Sequence, residues 1–265
     1  MKRTLYLAVG LVAVLTLAGA GFGQTAADHI LKGDEYFTAY EDQKALDEYL
    51  AAVQLDAWNY EALWKTARGI VDLSDLIVGT DKESTEKRKK MYNDAVSYAS
   101  KAVGANPDNT WGHFFLSSAM GNKALLMSTK DQIDASKRIR SEIDKAIELD
   151  GANDLGYHAL GRWHRRMAEI GGAKRFFGGI IYGSIPKGSF PEAEKAFVKA
   201  VELKPEYVNH HIELARTYMS MGKFDQAVSE YQKTIDLPMS SSKDKDLKAE
   251  AAVEIEKAKR KQKLG

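Results

Sequence analysis

Along this chain, small and large apolar residues return at steps of four and three, the spacing of a helix with one buried face. Ala45, Tyr49 and Ala52 set the pattern. Ala95, Ala99 and Ala102 repeat it, as do Ile139, Ile143 and Ala146, then Ala193, Phe197 and Ala200; Ala227 and Tyr231 begin a further copy. Each copy follows another stretch of helical pattern, so the chain is predicted to form helical hairpins. At the C-terminal end, Leu247, Ala251, Ile255 and Ala258 mark one more amphipathic helix with a heavily charged outer face. Such a helix suits the end of a stack, where the last apolar groove must be covered. The closing run KAKRKQK is expected to fray.

One segment carries a nearly complete tetratricopeptide repeat (TPR): HHIELARTYMSMGKFDQAVSEYQKTIDLP at 210–238. Leu214, Ala215 and Tyr218 fit its first helix, Gly222 its turn, and Ala227 with Tyr231 its second helix. Alanine at a crossing lets two helix backbones approach to about 8 Å while larger residues fill the surrounding groove. Gly33 and Tyr36 stand at first-helix offsets before Ala45, and Pro107 and Pro205 follow the second helices of two other copies. The markers at 45, 95, 139, 193 and 227 are 50, 44, 54 and 34 residues apart, against a standard period of about 34. The surplus falls near 75–90, 121–135 and 168–189, between the two helices of a unit, so these insertions are expected on one edge of the stack, where binding faces are often built.

The fold expected is therefore all-α, a TPR-like α-solenoid of about five helical hairpins with insertions and a C-terminal capping helix. The units run over about 26–58, 59–108, 109–152, 153–206 and 207–238, with the cap at 244–263. Stacked repeats share one continuous core and need no linker, so 24–265 reads as a single domain. A chain of 265 residues with 44% hydrophobic and 28% charged residues has enough apolar material for that core and enough charge for its surface.

The first residues read as targeting rather than fold. Lys2 and Arg3 precede an apolar run from Leu5 to Ala18 and the small residues 19–23, the layout of a secretory signal over 1–23. The run is short for a membrane span, which needs about 20 residues. The reading is export, into a bacterial periplasm or beyond, with retention by an uncleaved anchor as the alternative. No transmembrane span is expected once the signal is removed. The chain has no cysteine, which excludes disulfides and a lipoprotein anchor. Loss of Lys2 and Arg3 from the 38 basic residues would leave 36 against 37 acidic ones, which gives no global pull toward nucleic acid.

Charge is uneven locally. Arg162, Arg165, Arg166, Lys174, Arg175 and Lys187 face Glu169 alone within 162–187. On a helix Arg162, Arg165 and Arg166 share a face, where guanidinium groups suit a phosphate or carboxylate. Phe176, Phe177, Ile180, Ile181 and Tyr182 follow, with paired glycines between them, and resemble a greasy lid. Two readings stand: a ligand site with Arg162, Trp163, Arg165, Arg166 and Arg175 near an anionic head and the apolar residues near a tail, or structural ion pairs and a plug between hairpins. Trp58, Trp64, Trp111 and Trp163 lie near first helices, either as core or, turned to the concave side, as an apolar binding wall.

Catalytic chemistry has little to stand on. His158 and His164 are six apart, about 240° around a helix, and do not converge on a metal. There is no HExxH, GxSxG or GxxxxGK[ST] pattern and no cysteine nucleophile. The histidines read as helix-packing or surface groups, no cofactor or metal is expected, and the protein is not expected to be an enzyme.

LGRWHRRMAEI, with Gly161, Arg162 and Trp163, and the later Leu237-Pro238 and Lys248-Ala249-Glu250-Ala251 resemble the regulator of microtubule dynamics family of TPR-like proteins. The resemblance is strongest over 150–255. It implies a TPR-like domain that in some animal members binds and transfers phospholipids and in others is named for microtubules. The export signal and the lack of a coiled coil or tethering region set this chain apart, so a microtubule role is not carried over. The expected function is non-catalytic binding in a TPR groove, of a lipid or other amphiphile in the cell envelope. The alternatives are a scaffold for envelope proteins or an accessory component of a solute transporter.

Overall fold

The computed structural model describes residues 23–170 and 185–264. Its described residues form eleven helices: α1 (Ala26–Thr38), α2 (Asp42–Leu55), α3 (Tyr60–Asp75), α4 (Lys82–Ala105), α5 (Thr110–Ala124), α6 (Thr129–Leu149), α7 (Asp154–Glu169), α8 (Phe190–Leu203), α9 (Val208–Ser220), α10 (Phe224–Asp236) and α11 (Asp244–Leu264). Consecutive helices pair as antiparallel hairpins, α1 with α2 through α9 with α10, and α11 lies against α10 as the cap. This is the all-α TPR-like solenoid that the apolar spacing predicts.

Helix starts follow local chemistry. Thr25, Asn59, Asp81, Asn109, Ser128, Asn153 and Ser189 each accept a backbone N–H from the first turn of the helix they precede. A cap of this kind contributes about 1 kcal/mol. The marker residues lie where the hairpins close: Ala45, Tyr49, Ala52, Ala95, Ala99, Ala102, Ile143, Ala146, Ala193, Phe197, Ala200, Ala227 and Tyr231 are all buried, most of them fully, and Thr234 completes the last triplet. Opposite a large marker stands a glycine. A Cβ at Gly33 would meet the Tyr49 ring at 2.5 Å, and one at Gly161 would meet the Phe197 ring at 2.8 Å.

Three hairpins share a polar clamp as well. His29 of α1 bonds Glu48 of α2 at 2.6 Å, His113 of α5 bonds Glu142 of α6 at 2.7 Å, and His211 of α9 bonds Glu230 of α10 at 2.7 Å. The other ring nitrogens of His113 and His211 bond the carbonyl oxygens of Pro107 and Pro205, at 2.9 and 2.7 Å. His113 and His211 therefore each fix both the second helix and the turn before their own helix.

The first two insertions are not loops. They are largely extra turns at the start of α4 and α6, which run to 24 and 21 residues. The third lies mostly at 171–184, outside the described residues. The C-terminal run is helical: α11 continues to Leu264, with buried Ala258 and with Gln262 bonding Asp225 at 2.5 Å. Trp58 also departs from the packing role, sitting in the turn before α3 with 66% of its surface exposed.

Gly161→Ala should lower stability by about 1–3 kcal/mol, because the Phe197 ring is enclosed and has to shift. Gly121→Ala, on a helix with nothing within 4 Å of the added carbon, should be neutral or stabilising by up to about 1 kcal/mol. Urea melts followed by circular dichroism compare the two.

Candidate functional site

Stacking turns the first helices of the hairpins toward a common inner side. There they line a cavity of about 490 Å³, with α3, α5 and α7 as its main walls. Its floor is aromatic. Trp64 stacks on Trp111 at 5.5 Å and on Phe115 at 5.5 Å, and Phe114 meets Phe115 edge-on at 4.7 Å. Tryptophans 64 and 111 thus form the apolar wall, and Trp163 borders the cavity while its Nε1 donates to the Ser136 carbonyl at 2.9 Å.

Over this floor runs a belt of polar groups drawn from four parts of the chain. The segment 237–243, between α10 and α11, crosses back to the first hairpins. Its Lys243 ammonium sits 2.9 Å from Asp72 and 2.8 Å from Asp75 on α3, and Tyr40 donates to the Met239 carbonyl at 2.9 Å. Burial works against the Lys243 charge, but the two carboxylates outweigh it and hold its pKa well above the usual lysine range. Asp75 also accepts from Tyr92 at 2.6 Å and from Asn122 at 3.3 Å, and the Asn122 oxygen accepts from Arg162 at 3.4 Å. Lys243, Asp75, Asn122 and Arg162 therefore form a continuous chain from the crossing segment to α7.

The crossing segment is shaped by its own residues. Buried Asp244 accepts from the backbone N–H and hydroxyl of both Ser240 and Ser241. At its far contact, Tyr40 adopts a left-handed φ of 60°, in the position after its helix that Gly222, with φ 72°, fills in the last hairpin. A bulky residue there costs on the order of 1 kcal/mol, and its hydroxyl bonds the crossing segment.

The three α7 arginines all border the cavity but have different partners. Arg165 is held by Glu213 of α9, both nearly enclosed, and Arg166 reaches Glu169 of its own helix at 3.4 Å. Arg162 donates a long hydrogen bond to Asn122 and borders the cavity. Arg175, Phe176, Phe177, Ile180, Ile181 and Tyr182 lie outside the described residues. Glu213 also bonds Arg216 at 2.8 Å, and Arg216 bonds Glu250 of α11 at 2.6 Å, so this network ties α7, α9 and the cap. Burial raises the Glu213 pKa, but Arg165, Arg216 and Arg162 together pull it far below the carboxylate range.

Sequence reasoning singled out Arg162, Trp163, Arg165, Arg166, Trp64 and Trp111, which border the cavity, but missed Lys243, Asp72, Asp75, Asn122 and the facing of His158 to His210. These residues meet only through separations of 47 to 171 positions. No local period encodes such pairings.

A family model described as Regulator of microtubule dynamics protein 1-3 matches residues 29–259. The chain belongs to this family. It is 24% identical over 249 residues to mouse regulator of microtubule dynamics protein 1, covering 93% of this chain and 80% of the mouse protein. The Caenorhabditis elegans protein of that name is 24% identical over 211 residues, covering 80% of this chain and 91% of the worm protein. Among solved structures, a TPR protein of Thermus thermophilus shares the fold, with a TM-score of 0.63 at 18% identity over 86% of this chain and 98% of that one. The family assignment agrees with the resemblance carried by Gly161, Arg162 and Trp163. TPR-like arrays of this kind typically serve as non-enzymatic binding scaffolds.

Arg165→Ala should cost about 3 kcal/mol, because it leaves Glu213 enclosed with less compensation. Glu213 has a lowered folded pKa, so its contribution is complete above about pH 4.5 and is lost as the pH falls further. Acid titration of the melt should therefore be shallower in Arg165→Ala than in the parent between pH 5 and 2.

Proposed function

We propose that this protein is a non-catalytic carrier or sensor that holds one lipid or other amphiphile in the cavity on the inner side of its superhelix. The observation that carries the reading is the crossing segment, which narrows the groove. An open TPR groove admits an extended peptide; here the crossing segment stands over it, fastened at Lys243 and Tyr40, above an aromatic floor. A volume of about 490 Å³ fits an acyl chain or a small amphiphile. Arg162 and the belt beside it supply a polar end, while Trp64, Trp111, Phe114 and Phe115 supply an apolar one.

The competing reading is a scaffold that grips a segment of an envelope protein, which would require the crossing segment to move aside. The basic start and apolar run before residue 24 support export, with the periplasm as the compartment proposed. Among the described residues no helix is long and apolar enough to cross a membrane. The relatives' names refer to microtubule dynamics; that activity is not part of the proposal for this chain.

Mass spectrometry of an organic extract from residues 24–265, purified without detergent, should find one amphiphile per chain. A brominated fatty acid should quench the fluorescence of Trp64 and Trp111 in the parent and lose most of that effect in Trp111→Asp. An empty extract together with no quenching contradicts the reading and leaves the scaffold ahead.

A further inference from the structure

His158 and His210 form the one histidine pair in the described chain, and unlike His29, His113 and His211 they clamp no hairpin to a glutamate. His158 Nδ1 lies 3.0 Å from His210 Nδ1, and His210 Nε2 lies 2.8 Å from the Asp154 carboxylate. Both rings are buried, His210 completely, and His158 borders the cavity.

The bonding fixes where each proton sits. A carboxylate only accepts, so His210 Nε2 carries a hydrogen and donates to Asp154. Neutral His210 then offers a lone pair at Nδ1, and His158 Nδ1 must donate to it. That leaves His158 Nε2 without a hydrogen. No described group bonds this atom, and it is not among the sealed partnerless atoms, which are Thr66 Oγ1, Arg68 Nε, Arg88 Nε and His164 Nδ1 among the described residues. It is therefore a lone pair with no described partner, on a residue that borders the cavity.

The surroundings favour this arrangement. Burial holds the His158 pKa well below its usual value, with His210 adding to the effect, and burial likewise lowers His210. Phe197 meets the His158 ring edge-on at 5.6 Å, and Tyr207 meets His210 at 4.7 Å, so both rings are held in place. Arg165 is neutralised by Glu213, whereas Arg162 nearby disfavours a second cation. Glu213 nearby works the other way, but burial is the larger influence, so an uncharged donor suits the site.

We infer that His158 Nε2 is a fixed hydrogen-bond acceptor that selects, for this cavity, an amphiphile with a hydroxyl-bearing head. The inference rests on the proposed amphiphile binding and adds the chemical class of its head. Leu155 and Ala159, on the same face of α7, pack against the aromatic floor, so a head at His158 places its tail over Trp111 and Phe115. A site built around a buried acceptor rejects an analogue that lacks the donor, because the acceptor is then left unpaired.

The test uses dodecan-1-ol and its methyl ether as matched probes, with binding measured by calorimetry. The parent protein should bind the alcohol at least about ten-fold more tightly than the ether, and His158→Phe should bring the ratio near one. Equal binding of both probes by the parent overturns the inference and leaves the amphiphile reading intact. Binding of neither overturns both. Nitrogen-15 NMR of the parent, which needs no variant, should show His158 protonated at Nδ1 and bare at Nε2; the reverse tautomer also overturns the inference.

Discussion

A lysine placed between two aspartates decides what kind of groove this array has. Lys243 is drawn 171 positions back along the sequence to Asp72 and lies against Asp75 as well. An ammonium taken out of water costs several kcal/mol unless it is matched, and here two carboxylates match it. The segment that carries Lys243 is consequently fixed over the first hairpins, and a groove that is open in a plain repeat stack becomes a walled cavity. Asp75 passes the constraint on through Tyr92 and Asn122 to α4 and α5, and Asn122 passes it to Arg162 on α7.

Two kinds of contact divide the labour. Small residues against large ones, such as Gly33 with Tyr49 and Gly161 with Phe197, set how closely helices approach and hence the curvature of the stack. Charged networks then register one hairpin against another, as Arg165, Glu213, Arg216 and Glu250 do from α7 to the cap. The inner face is left to the aromatics of α3 and α5. Their rings stack on one another across the seam between the second and third hairpins, and the same rings border the cavity.

Much of the fold was legible because helix packing has a short period. Ala45, Tyr49 and Ala52 and their later copies are spaced by the geometry of one helix, and burial of all of them follows from that spacing. The candidate site was legible only in part. Arg162, Arg165 and Arg166 share a helical face, as their spacing says, yet Glu213, the partner that neutralises Arg165, lies 48 positions away. Trp58 has the same composition signal as Trp64 and differs by falling in a turn, where most of its surface stays exposed. The tautomer of His158 depends on His210 and Asp154, which the repeat brings together across one unit. Such contacts follow from the superhelix, and a single sequence carries no local mark of them.

The closure itself is open to direct measurement, since the chain has no cysteine of its own to interfere with labelling. Spin labels on cysteines introduced at exposed Gln43 and Met239 would report the distance between the first hairpin and the crossing segment by pulsed electron resonance. The account predicts one short, narrow distance distribution in the parent and a longer, broad one in Lys243→Ala. A broad distribution already present in the parent, or no change on removing the lysine, would contradict it.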